Sequence, residues 1–241
     1  MILLPIVATG QDVVTVAVAS NFSMAIDEIA AEFTASTGQQ VRVTTASTGK
    51  LHAQIVNAAP FDVLLAADGA RPENLESSGE GVLGTRFTYA IGELVLWSRQ
   101  LTDCRAALDS PGKARIAIAN PEIAPYGAAA REFLQQAGLW ESLKSQLVIG
   151  ESISQTLQFV ASGNAQLGFI ARSQLQAPSL PDATCTWTVP AGLHTPIEQQ
   201  AILLRHGQDM DGARRFLQFL RSDASRVIIE RHGYRLPELS E

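Results

Sequence analysis

The tightest constraint on the fold lies in residues 13–51, VVTVAVASNFSMAIDEIAAEFTASTGQQVRVTTASTGKL. Twice in this stretch a β-branched run enters a small polar turn and then a helix start. Residues 13–19 and 41–45 predict strands. Between them Phe22, Ile26, Ile29, Ala30 and Phe33 fall at i, i+4, i+7, i+8 and i+11, the apolar stripe of one amphipathic helix. Gly38 is placed to end it. Such a strand–helix–strand order demands parallel strands joined by crossovers, so both helices begin at the carboxyl ends of their strands. Helix starts gathered along that edge present unpaired N–H groups and a partial positive charge, which favour an anion.

The alternation continues. Residues 49–58 read as a helix with Leu51, Ile55 and Ala58 inward, stopped by Pro60, and 61–67 (FDVLLAA) as a strand buried on both faces. A short helix follows over 71–76. Residues 87–98 (FTYAIGELVLWS) form a longer strand interrupted at Gly92, as expected where a strand bends out of one domain into another. Beyond it come strands at 115–119, 147–150, 166–170 and 186–190, with helices at 128–137 (Phe133, Leu134 and Ala137 inward) and 154–161 between them. Residues 197–204 make the return crossing, and helices over 212–220 and from Ser222 or Asp223 to His232-Gly233 close the chain. Two similar α/β halves and a double crossing predict two lobes around a cleft, 12–90 plus 196–241 and 91–195. A single parallel-sheet domain is the alternative. The segment 1–11, MILLPIVATGQ, is read as a signal-peptide remnant or as residues foreign to the mature chain.

Composition narrows the function. The net charge of −6 over 241 residues comes with no basic stripe, which argues against a nucleic-acid partner. It leaves a local nest of N–H groups free to bind an anion. No run reaches the roughly 20 apolar residues of a membrane span. His52, His194, His206 and His232 lack a second ligand at metal spacing. Cys104 and Cys185 fit no metal pattern either and are one disulfide or two free thiols, according to compartment. G-x-S-x-G, a Gly-rich phosphate loop and H-E-x-x-H are all absent, which disfavours an enzyme. A regulator's effector domain is disfavoured by the lack of a DNA-binding segment.

Four turns share one pattern: Ser20-Asn21, Ser47-Thr48-Gly49, Pro125-Tyr126-Gly127 and Ser152-Ile153-Ser154. Two fall in each predicted lobe, so they would converge across a cleft with hydroxyl, amide and backbone N–H donors. Capping alone explains any single Ser, Thr or Asn before a helix. It does not explain four such turns together, nor a tyrosine between Pro125 and Gly127. Lys50 could reach a phosphate, but Leu51 and Ile55 define the buried side and leave Lys50 to solvent. Asp62 and Asp68 bracket a strand as turn or cap residues.

These segments carry a resemblance. AVASNFSMAIDEIAAEF at 17–33, ASTGKLHAQI at 46–55, APFDVLLAAD at 59–68, NPEIAPYG at 120–127, AQLGFIA at 165–171 and the tail IIERHGYR are together similar to the periplasmic molybdate-binding proteins of ABC importers. The resemblance covers nearly the whole chain from about residue 13. It implies an α/β, two-lobed, type II periplasmic-binding-protein fold, with mixed, mostly parallel sheets flanked by helices and the ligand cleft between the lobes. It further implies capture of molybdate, and of tungstate, for delivery to a membrane ABC permease, by a monomer in the periplasm. Sulfate or phosphate is the alternative ligand. No cofactor and no direct protein–metal bond is expected, because molybdenum is held through its oxo groups. Matched by position, the ligand residues are Ser20 and Asn21 in the first turn, Thr48 in the second with Ser47 as the neighbouring choice, Tyr126, and the backbone N–H of Ile153. Some members place a ligand tyrosine where this chain has Ala171, and Tyr126 is expected to take its place. Export makes the Cys104–Cys185 disulfide the expected pairing, closing a loop of about eighty residues.

Overall fold

The computed structural model describes residues 13–109, 112 and 114–238, so the segment 1–11 discussed above lies outside the described residues. In the first half, β1 (Val14–Ala19), α1 (Ser23–Thr37), β2 (Val41–Ala46), α2 (Thr48–Val56), β3 (Val63–Ala66) and α3 (Ala70–Ser78) follow in order. Then β4 (Phe87–Gly92) and β5 (Leu94–Ser98) meet at Glu93. The second half comprises α4 (Ala106–Asp109), β6 (Ile116–Ala119), α5 (Pro125–Gln136), α6 (Trp140–Leu143), β7 (Leu147–Gly150), α7 (Ile153–Ala161), β8 (Leu167–Ala171) and β9 (Cys185–Thr188). β10 (Ile197–Leu203), α8 (Asp211–Leu220) and α9 (Asp223–Arg231) complete the chain.

The strands form two five-stranded sheets, β2-β1-β3-β10-β4 and β7-β6-β8-β5-β9. Each holds a parallel trio, with β1 between β2 and β3 and β6 between β7 and β8, followed by two antiparallel strands. The run 87–98 is therefore two strands in two sheets, and β10 brings the chain back to pair with both β3 and β4. Because helices cover both faces, the central strands are apolar throughout. Val14, Val16 and Val18 pack toward α1, α8 and α9, and Ala17 packs toward α2 and α3. The second sheet is similarly clothed, with Phe133 and Leu134 of α5 on one face and Val160 of α7 on the other. Cys104 and Cys185 are joined as a disulfide, 81 residues apart in sequence.

Three local expectations are corrected. Ala58 lies beyond α2 in a left-handed turn (φ 62°) and is exposed, because the helix ends at Val56 and the chain reverses before Pro60. Ala137 is exposed just past the end of α5, which stops at Gln136. On α1 the buried small residue is Ala25, with Ala30 only half-buried, so the stripe is turned slightly from the one read off the sequence.

Candidate functional site

The carboxyl ends of β1, β2 and β3 face the turns after β6 and β7 across a small shared cavity. It is lined by Ala19, Ser20, Asn21, Ser47, Thr48 and Ala67 from the first sheet's side and by Ala124, Pro125, Tyr126 and Ile153 from the second's. At about 10 Å³ it has room for one small body. All six residues singled out from the sequence are brought to it. No lining residue is ionisable apart from Tyr126.

The partners of the lining side chains explain what they offer. Ser47 occupies the N-cap position of α2 yet makes no capping bond, and its Oγ is buried without a partner. Thr48 Oγ1 accepts the Ala67 N–H at 3.1 Å, which leaves its own proton to be donated elsewhere. Tyr126, at the second position of α5 behind Pro125, is 2% exposed and its hydroxyl is also buried without a partner. Burial, with lesser contributions from Tyr234, Tyr89 and Glu93, holds that phenol well above its ordinary pKa, so it remains a neutral donor. Leaving a buried hydroxyl without a partner is costly, and two of these line one cavity with their protons free for an acceptor. Ile153 opens α7, where the first N–H groups have no intrahelical acceptor; Ser152 caps the next turn by accepting from Gln155 N at 3.2 Å.

Asn21 lines the cavity, but its side chain is engaged elsewhere. Its side-chain amide does not supply a free donor, because Nδ2 donates to Gln199 Oε1 and to the Tyr234 hydroxyl, both at 2.9 Å. The Asn21 backbone N–H belongs to the short helical turn Ser20–Phe22, where the first N–H groups have no intrahelical acceptor. The Asn21 carbonyl in turn accepts from the hydroxyls of Tyr234 (2.7 Å) and Ser173 (3.0 Å). Sequence reading missed this buried cluster. Gln199 carried a signal, as one of a pair of amides inside the run Ile197–Leu203, whereas Ser173 and Tyr234 had none.

The two sides are held together around the cavity. Gly49 N donates to Ile123 O at 2.8 Å, and a Cβ on Gly49 would lie 2.8 Å from Ile123 Cα, so only glycine permits this approach. Ser154 Oγ donates to Ser20 O at 3.3 Å and Arg71 Nη2 to Glu122 O at 2.9 Å. Lys50 pairs with Glu151 at 3.0 Å in an exposed bridge, outside the lining. Asp62, by contrast, is buried and accepts from Thr15 N, Thr15 Oγ1 and His206 Nδ1, tying β1 to the segment after β10. Asp68 caps α3 through the Arg71 N–H.

Known proteins sharpen this geometry. Residues 14–235 match the family described as bacterial extracellular solute-binding protein. The molybdate-binding protein ModA of Azotobacter vinelandii is 44% identical over 226 residues, spanning 92% of this chain and 90% of that protein. ModA of Rhodobacter capsulatus is 42% identical over 94% of this chain and 89% of its own length. The solved Azotobacter vinelandii periplasmic molybdate-binding protein superposes with a TM-score of 0.88 at 37% identity, covering 93% of this chain and 100% of that one. With two α/β sheets meeting at one small shared cavity and a family match along nearly its whole length, this chain belongs to the bacterial extracellular solute-binding proteins.

Proposed function

We propose that this protein is a periplasmic receptor that encloses molybdate between its lobes and delivers it to a membrane ABC permease. The observation that carries the reading is the cavity's chemistry: donors from both sides, two of them buried hydroxyls without partners, and no ionised side chain. The relatives named for molybdate binding support the choice of anion.

The proposed ligands are the hydroxyls of Ser20, Ser47, Thr48 and Tyr126 and the backbone N–H groups of Asn21 and Ile153. A tetrahedral dianion offers acceptors only, so a site built of donors satisfies every oxygen. A species that still bears a proton places an O–H against an N–H or O–H and is repelled, which disfavours phosphate at neutral pH. Neutral dipoles suffice because several helix starts converge where solvent is excluded and electrostatic attraction is less screened. Molybdenum makes no bond to the protein in this scheme. The anion is cargo, no cofactor takes part, and a monomer is competent. Closure about the two crossings, near Gly92–Leu94 and Pro196–Ile197, brings Tyr126 and Ile153 onto the first lobe's turns.

Calorimetric titration of the purified chain with molybdate, tungstate, sulfate and phosphate tests the reading. Molybdate and tungstate, of nearly equal size, are expected to bind comparably, and both far more tightly than the smaller sulfate. Molybdate binding no tighter than sulfate would overturn the assignment.

A further inference from the structure

Gln199 is fully buried in β10, the strand that returns the chain from the second sheet to the first. A register shift at Gln199/Gln200 breaks the alternation of β10 there, so that both amides turn away from solvent. Gln200 points toward Arg86 and Thr88 and is bonded to both. Gln199 points the other way. Its Oε1 accepts from Asn21 Nδ2 at 2.9 Å, while its Nε2 is buried with no partner. The Tyr126 hydroxyl is also unpartnered. Both atoms lie within 3.0 Å of the point a Cβ on Gly92 would occupy, so the missing side chain of Gly92 is what lets the amide and the phenol share one space. Gln199 is not among the residues that line the cavity.

A phenol that gives its proton to an anion has its own oxygen lone pairs left over, buried and in need of a donor. An amide N–H without an acceptor stands beside it. We infer that Gln199 is a positioning residue for Tyr126: when the cavity is filled, Nε2 donates to the phenolic oxygen and commits the phenol's only proton to the ligand. The chain Asn21 Nδ2 to Gln199 Oε1, Gln199 Nε2 to Tyr126, Tyr126 to the ligand then runs one way, each link polarising the next. It fixes the amide orientation as well, since the reverse would set Asn21 Nδ2 against an N–H. The same arrangement ties the crossing strand to the contents of the cavity. This inference rests on Tyr126 being a ligand, as proposed above.

The test is a double-mutant cycle on the full chain with sodium molybdate as the calorimetric probe and sulfate as the control. Gln199→Leu is expected to weaken molybdate binding about fivefold, with the melting temperature of the unliganded protein little changed. In a Tyr126→Phe background the same replacement is expected to cost less than about twofold, because the oxygen it serves is gone. Equal losses in both backgrounds, or none in either, would overturn the positioning role while leaving the molybdate reading standing. Failure of the unmutated chain to bind molybdate would instead remove the reading on which it rests.

Gln199→Glu supplies a second readout that a packing role would not move. An ionised carboxylate accepts the phenol's proton and draws it from the ligand; a protonated one can donate as the amide does. Affinity in this variant is therefore expected to recover as the pH is lowered, relative to the unmutated chain over the same range. A profile parallel to the unmutated chain's would overturn the proposal even if Gln199→Leu failed to fold.

Discussion

Tyr126 is the residue at which sequence and structure say most to each other. A tyrosine at the second position of a helix, after proline and before glycine, has no capping role, and its hydroxyl is left buried without a partner. Tyr126→Phe deletes one hydrogen bond to a charged ligand and is expected to weaken molybdate binding about tenfold or more, with an unaltered circular dichroism spectrum. The sign of its pH dependence follows from burial. Binding uses the protonated phenol, whose pKa is raised above the ordinary value, so the proton is lost only at pH well beyond that value. Affinity measured between about pH 7 and 9 is therefore expected to be flat. Ser47 and Thr48 show where residue-level reading ran out. Both hydroxyls were legible as candidates, but their division of labour depends on the Ala67 N–H, which only the approach of β3 supplies. Asn21 was legible as a candidate, but the engagement of its amide was not, since the partners come from residues 178 and 213 positions further on.

At the scale of elements, the helices and strands of the parallel trios were legible because burial on both faces writes continuous apolar runs, and small polar turns punctuate them. The break in residues 87–98 was legible from Gly92. That the two halves belong to different sheets is fixed by β10, β8 and β9, which lie far along the chain. The cluster joining Asn21, Ser173, Gln199 and Tyr234 was not legible, because four separate elements must meet before any of its bonds exists. The start of α2 offers a direct test of closure. Gly49→Ala sets a Cβ against Ile123 of the facing side, a clash that separation of the lobes would relieve. It is expected to weaken molybdate binding more than about tenfold while the melting temperature of the ligand-free protein shifts by no more than about 2 °C. Paired calorimetry and thermal scans separate the two effects.

On the scale of the whole molecule, a ligand held only by the closed, folded form must stabilise it. With free molybdate at a hundred times its dissociation constant, the gain is about 2.7 kcal/mol, which for a chain of this size raises the melting temperature by roughly 5–10 °C. Differential scanning calorimetry with and without molybdate checks this, and sulfate at equal concentration should do markedly less. The architecture also sets an order of assembly. β10 lies between β3 and β4, yet it is drawn from residues 197–203, after every strand of the other sheet. As the polypeptide emerges from its N-terminus, the later-numbered sheet has all five of its strands in hand by Thr188, while the earlier one still lacks a middle strand. The half of the protein that is made first is thus the half that finishes last.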